Sequence, residues 1–454
     1  MVVLYDDIIF LIFDHIFDIK DRLQLLRVCR HWYGLLLPKV YESIRVEGNQ
    51  AYGLVCSIQK NPEIGRSIRD LTLRWCYGHE ANHKYSVEMF KDTLQQASPS
   101  IEHCTNWEKD LLNGEPDAWL ALLTPSLEAV RSLELEYKGW SDYFFPMLAR
   151  AAARQKPFDS KPCFQHLEWV RARNEHNKTT YYASEFLPLF HFPAMQVFSA
   201  SSLCEEPYPN PLNISKPALG TSGITELDFG DCNSRNGMAD YITSCANLEV
   251  FNYQHQNQAV WGEAYCNFHP LAFYPALYTQ RHSLRVLRLN NNGEIYGLDR
   301  FVDDQDTEYS GFGSLAEFSQ LRELRMLLRT LLQFGSNDQP AVSLLDVLPS
   351  SLEHLQLAGY CVEDFDVVLG NLQGMLAQRT ERFPNLRRLE IQPVILERLA
   401  SASFIGKDWS PYDIPKSVKQ AFAPIKLACD ELGIAFGFTK DGYNEIYDIG
   451  IALP

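Results

Sequence analysis

His79, Glu80 and His83 form a literal H-E-x-x-H, and Glu102 follows with 18 residues between. On one helical face the two histidines could hold zinc, with Glu80 as general base and Glu102 as third ligand. That is the chemistry of a metal-dependent peptidase. The surroundings argue for an exposed loop instead. The motif comes after Gly78, just past the strand-like run Leu71–Leu73, where a loop is expected. Asn82 disfavours a helix interior, and Lys84 puts a charge where such sites are apolar. A helix is expected only later, with Ser86 as its cap, and Glu102 is expected in the turn region of Ser98, Pro99 and Ser100.

The remaining chemical patterns are weaker. Asp303, Asp304, Asp306 and Glu308 form an acidic run, but a calcium loop of the EF-hand kind would need glycine where Tyr309 stands. The run reads as a solvated loop or as a contact for a basic substrate. Gly311 and Gly313 make no phosphate loop, and there is no nucleophile elbow. The 11 cysteines are dispersed, with no C-x-x-C and the closest pair at Cys232 and Cys245. Such cysteines are expected as reduced thiols serving as small hydrophobes. No metal, no cofactor and no catalytic residue is expected.

Composition narrows the class further. Hydrophobic residues make up 46% and charged residues 22% of the 454 residues, values of an ordinary globular chain. The formal net charge of -16 offers no bulk attraction to nucleic acid or anionic lipid, so neither is expected as a partner. The apolar start carries Asp6, Asp7 and Asp14, which does not fit a secretory signal, and no 18-residue apolar run follows. An intracellular place, cytoplasmic or nuclear, is expected, and the sequons at 177–179 and 213–215 are read as chance.

The elements that would position any function repeat along the chain. Apolar-x-x-apolar-x-apolar recurs as Ile68/Leu71/Leu73, Val130/Leu133/Leu135, Phe164/Leu167/Trp169, Met195/Phe198/Ala200 and Ile224/Leu227/Phe229. It continues as Leu248/Phe251/Tyr253, Leu284/Leu287/Leu289, Leu321/Leu324/Met326, Leu352/Leu355/Leu357 and Leu386/Leu389/Ile391. From Leu133 the centres lie 34, 31, 29, 24, 36, 37, 31 and 34 residues apart. The gap from Leu71 to Leu133 is double length, and Ile101–Cys104 reads as a degenerate repeat within it. The last two apolar positions of each unit have period two, so both face one side of a short strand. Stretches such as Val87–Leu94 and Val367–Leu372 are expected as helices between strands. Each unit leaves an apolar face that stacking buries, which is the logic of a solenoid. This resembles irregular leucine-rich repeats with inserted loops.

At the N-terminus, Ile8, Ile9, Ile12, Phe13, Ile16 and Phe17 form an apolar stripe at helical spacing, with Asp6 and Asp7 in the first turn. Asp21 is expected to cap a second helix. Cys29, Trp32 and Leu35–Leu37 continue an apolar face until Pro38 interrupts. Helices this short cannot bury all that surface among themselves. Leu4 through Phe13, Asp21 with Leu23, and Leu26, Val28, Cys29, Trp32 and Tyr33 resemble the F-box motif over residues 1–46. The family usually opens with Leu-Pro, where this chain has Leu4-Tyr5. The other reading of the segment is a plain helical cap for the array. Residues 312–324, 345–357 and 383–386 resemble a group of filamentous-fungal F-box and leucine-rich-repeat proteins.

The resemblance implies an α/β fold: a small helical F-box, then an irregular leucine-rich repeat solenoid over 47–454. It implies a non-catalytic substrate receptor of an SCF-type ubiquitin ligase, joined through a Skp-type adaptor to a cullin-RING scaffold. Leu4, Ile8, Ile12, Phe13, Val28 and Trp32 are expected to line or support the adaptor contact. The protein substrate is expected on the concave face, with Glu134, Asp228 and Arg288 as its contacts, or else in the loops at 254–282 and 299–312. The alternative is a repeat scaffold whose F-box-like start engages no adaptor.

Overall fold

The computed structural model describes residues 5–75, 85–137, 141–174, 181–205, 216–256, 266, 268–291, 311–334, 339–360, 365–393 and 416–439. Fourteen strands are described: β1 Ser43–Glu47, β2 Asp70–Arg74, β3 Ser132–Tyr137, β4 Trp169–Asn174, β5 Tyr181–Tyr182, β6 Val197–Ser201 and β7 Leu203–Cys204, then β8 Glu226–Cys232, β9 Val250–His255, β10 Val286–Asn291, β11 Glu323–Leu327, β12 His354–Tyr360, β13 Arg388–Pro393 and β14 Ala435–Phe438. Twelve of them form one sheet in chain order, and β5 pairs only with β7. Every pairing is parallel, for example Leu71↔Leu133 and Leu355↔Leu389. Parallel neighbours need a crossover, and short helices supply it.

The inward rows stay in register across the sheet, and the register shifts only beyond them, between Phe229 and Cys232 on β8 and between Ala358 and Tyr360 on β12. One inward row runs Leu71, Leu133, Val170, Phe198, Leu227, Phe251, Leu287, Leu324, Leu355 and Leu389, and a second lies two residues later on each strand. All of these positions are at most 5% exposed. The residue three before the first row, such as Ile68, Val130 or Leu386, is sealed in the same core. Just outside each strand a backbone ladder continues the stacking. Arg131 N donates to Arg69 O, Glu168 N to Arg131 O, and so on to Ala435 N on Arg387 O at 2.8 Å.

The third unit of the series, which supplies β4, is shifted by three residues from its expected frame. Val170 and Ala172 occupy the inward rows of β4, and Leu167, not Phe164, is the leading turn residue. Phe164, Leu167 and Val170 are all apolar at spacing three, so the pattern fits two frames and pairing with β3 chooses. The ends add two strands that the repeat pattern does not reach: β1 pairs with β2, and β14 with β13.

Among the described residues the double-length gap holds no extra strand, and β2 pairs directly with β3. Ile101–Cys104 opens a helix instead. Helices α1 Asp6–Asp14, α2 Ile19–Leu25, α3 Arg30–Tyr41, α4 Ala51–Lys60 and α5 Pro62–Ser67 precede this region, and α6 Lys91–Ala97, α7 Ile101–Asn113 and α8 Pro116–Leu123 fill it. Ser100 Oγ caps α7 by accepting from His103 N at 3.1 Å, and Glu102 lies in its first turn, not in a turn region. Gly114 closes α7 with φ +77°, and a Cβ there would meet the Tyr85 ring at 2.6 Å. Ser86 caps no helix: a 3-10 turn at Glu88–Phe90 follows Val87, with no side-chain cap.

At the N-terminus, Asp18 and not Asp21 caps α2, accepting from Lys20 N at 2.7 Å. Helix α3 runs through Pro38 to Tyr41 without a break. Asp6 meets His31 at 2.7 Å and ties α1 to α3, while the Tyr33 hydroxyl accepts from Asn61 at 3.0 Å and ties α3 to the array. Leu36, Leu37 and Val40 belong to the same continuous core as the strands. Among the described residues the cysteines are free, and no helix is long and apolar enough to cross a membrane.

Candidate interaction surfaces

Period two on each strand places alternate residues on the face away from the core, here called the open face. Its middle row reads Arg45, Thr72, Glu134, Arg171, Ser199, Asp228, Asn252, Arg288, Arg325, Gln356 and Glu390 across β1–β13. A polar outward row on a strand is ordinarily solvated. Many are instead packed in: Asn252, Asn290, Arg325, Gln356, Glu390 and Gln392 are buried. Strands about 4.8 Å apart leave long side chains shoulder to shoulder.

The face neutralises most of its own charge. Glu136 accepts from Arg45 at 2.6 Å and lies 3.4 Å from Arg74. Glu134 pairs with Arg173 at 3.1 Å, and Arg288 with Glu323 at 2.7 Å. His354 Nε2 lies 3.1 Å from Glu390, which also takes Arg388. Arg325 donates to Gln392 at 3.0 Å, and Gln356 donates to Thr439 at 3.1 Å. Burial raises the Glu323 carboxyl, but hydrogen bonds and charge from His354 and Arg288 overcome it and bring it down to about 2. Asp228 is pushed up by burial, against a hydrogen bond from Asn252 and the charges of Arg171 and Arg288.

Of the three substrate contacts read from the sequence, Glu134 and Arg288 therefore already hold ion partners, while Asp228 holds an amide. The structure does not set them side by side: their strands β3, β8 and β10 are separated by others. Sequence reasoning missed Arg171, because the frame at 164–169 hid its row. It also missed Glu226, Glu323, His354 and Arg388, which come one residue before the inward row. The same period-two rule would have found them.

The second surface is apolar. Fourteen large hydrophobic side chains are exposed among the described residues, and eight of them lie in residues 5–33. Ile8 is 42%, Ile12 37% and Val28 59% exposed. Phe13 faces inward at 2%, under the Arg22 guanidinium at 4.6 Å, and Trp32 is half-buried against the core. These two support the surface; the other three line it. Leu4 lies outside the described residues, as do His79, Glu80, His83, the acidic run at 303–308, both sequons, residues 257–265 and 267 of the stretch 254–282, and residues 299–310 of the stretch 299–312. The first stretch is not all loop, because Pro270–Thr279 forms a helix. Among the described residues no group of histidine, cysteine and carboxylate side chains could hold a metal ion.

Residues 176–406, just over half of the chain, match the family described as a leucine-rich repeat domain. The in-register strands extend past the match on both sides, from β1 to β14. No curated protein matches the chain. A repeat domain of this kind suggests a protein-interaction scaffold.

Proposed function

The chain belongs to the leucine-rich repeat family, and from that premise we propose that it is the substrate-recognition subunit of an SCF-type ubiquitin ligase. The N-terminal helices bind a Skp-type adaptor, which joins a cullin-RING scaffold, and the open face of the sheet holds a protein substrate. Catalysis belongs to the assembly, which keeps a substrate lysine near the charged conjugating enzyme.

The observation that carries the reading is the concentration of exposed apolar side chains on α1–α3. A clustered apolar surface on an otherwise well-buried chain marks an interaction site. Its place matches the F-box resemblance of residues 1–46. The mixed polar row on the sheet supports the second half: a rigid array of parallel side chains is a docking surface.

Affinity capture of the tagged full-length protein tests this. The Skp adaptor and a cullin are expected in the eluate, and Ile8→Asp with Val28→Asp is expected to remove both. If neither partner accompanies the parent protein, the ligase reading fails and a scaffold without an adaptor stands in its place. Point substitutions suit this test better than deleting residues 1–46. That deletion would remove most of β1, whose pairing with β2 spans residues 43–47.

A further inference from the structure

The residue just before each strand belongs to the backbone ladder that runs beside the sheet. For β9 to β13 these residues are Glu249, Arg285, Arg322, Glu353 and Arg387. From Arg285 on, each donates its N–H to the carbonyl of the one before at 2.8 Å. Their side chains therefore start about 4.8 Å apart along one rim of the sheet.

Three of the five are arginine, in a chain whose formal net charge is -16. The Arg285 and Arg322 side chains are 54% and 58% exposed, and Arg387 is exposed too. The two glutamates of the row engage them weakly. Arg285 Nη1 lies 3.3 Å from Glu249 and Arg322 Nη1 lies 3.5 Å from Glu353. Both contacts are long for a charge-assisted bond, which closes to about 2.7–2.9 Å. Each guanidinium carries five donors, so most of them face water. Arg387 forms no ion pair with a described residue, and its neighbour Arg388 is taken by Glu390.

The same ladder position at the other end of the sheet shows what a structural arginine does. Arg69, just before β2, donates from Nη1 to the carbonyls of Arg66 and Ala129 at 2.9 and 3.2 Å. It ties its turn together. Arg285, Arg322 and Arg387 tie no turn, and their heads point to solvent.

Exposed guanidinium groups with open donors suit carboxylates, which match their planar fork. A nucleic acid is a poor fit, because the negative charge of the whole chain repels a long polyanion. Arg285 and Arg387 are three strand spacings apart, about 14 Å, which an extended segment covers in about four residues. Glu353 stands between Arg322 and Arg387 in the row. Acids set apart along a segment therefore fit better than an unbroken acidic run.

We propose that Arg285, Arg322 and Arg387 form a docking strip for an extended acidic segment of the protein that binds the array. It rests on the reading of the array as the substrate-binding part, and it names the kind of segment the rim takes: carboxylates separated by uncharged residues.

The test is fluorescence anisotropy of full-length protein with labelled peptides of about ten residues, long enough to cover the row. Serine alternates with glutamate in one peptide and with glutamine in the other. The parent is expected to bind the glutamate peptide about tenfold more tightly, the sum of three exposed ion pairs, and to lose that margin as salt rises. Arg285→Gln, Arg322→Gln and Arg387→Gln together are expected to erase the margin. If the triple variant unfolds, Arg387→Gln alone is expected to cut it about twofold. Arg45→Gln, on β1 at the far end of the sheet, is expected to leave it intact.

A parent without the preference, or a folded triple variant that keeps it in full, overturns the proposal. Equal loss in Arg45→Gln, or equally tight binding of a single-stranded RNA of the same length, also overturns it, since bulk charge is then the cause. Adaptor capture from the same preparations separates the two readings. Preference for the acidic peptide without adaptor capture sinks the ligase reading and leaves the strip standing; the reverse sinks the strip alone.

Discussion

The Trp75 indole, just past the end of β2, donates to the carboxylate of Asp117 in α8 at 3.0 Å, deep in the core. The same carboxylate accepts from Ser141 Oγ at 2.7 Å and from Tyr143 N at 2.8 Å. One buried acid therefore joins β2, the helices of the long crossover and the start of the helix Phe144–Ala152. Burial pushes its carboxyl up, and the three donors pull it back. Asp117→Ala leaves all three donors orphaned and is expected to cost about 3 kcal/mol or more, read by chemical denaturation. Asp117→Asn retains one acceptor oxygen and is expected to cost less. Equal stability of the alanine variant and the parent would dissolve this account of the node.

His255 gives the fold a dependence on pH. Its Nε2 lies 3.1 Å from the Cys266 carbonyl, which can only accept, so Nδ1 is left to accept from the Tyr253 hydroxyl at 2.9 Å. Burial lowers its pKa to about 3, against an ordinary value of 6.5. The folded state thus holds the ring neutral, while the unfolded chain takes up a proton below about pH 6.5. Stability is full above that pH and falls toward pH 3, by on the order of 1 kcal/mol per pH unit from this group. His255→Gln is expected to lower stability at neutral pH and to flatten the slope between the two values. Urea titrations across that range check it; an unchanged slope refutes the assignment.

The N-terminal surface separates lining from support. Ile8→Asp, Ile12→Asp and Val28→Asp change exposed side chains and are expected to shift stability by about 0.5 kcal/mol or less each, while adaptor capture is lost. Phe13→Ala removes a buried ring and is expected to cost about 3 kcal/mol. Thermal unfolding beside adaptor capture distinguishes the two classes. Large destabilisation by Val28→Asp would mean that the exposed face is structural.

Charge reversal on the open face carries a structural penalty. Glu134→Lys sets a lysine against Arg173 in place of a 3.1 Å ion pair. The expected loss is about 1 kcal/mol or less, with recovery in the double variant Glu134→Lys, Arg173→Glu. Absence of any coupling in that cycle would show the pair to be idle. Substrate capture by such variants is best read after this correction, and the same holds for Arg288 beside Glu323.

Much of the array is legible in the sequence because its cause is local. A leucine-x-leucine pair faces one way on a strand wherever it occurs, so Leu71, Leu133, Leu287, Leu355 and Leu389 could be placed from spacing alone. The helical stripes at 6–14 and 367–372 follow from the same kind of local period, whereas Ile16 and Phe17, which continue the spacing, lie beyond the end of α1 at Asp14. What lay beyond the sequence depended on neighbours distant in the chain. The frame at Phe164, Leu167 and Val170 is ambiguous locally and is fixed by pairing with β3. The edge strands β1 and β14 exist because β2 and β13 offer them hydrogen bonds. The charge state of the open face was hidden for the same reason. Arg45 finds Glu136 91 residues away, and Arg325 finds Gln392 67 residues away. The sequence determines which side of each strand is apolar; only the stacking of twelve strands decides which polar side chains on the other side meet, as Arg288 meets Glu323.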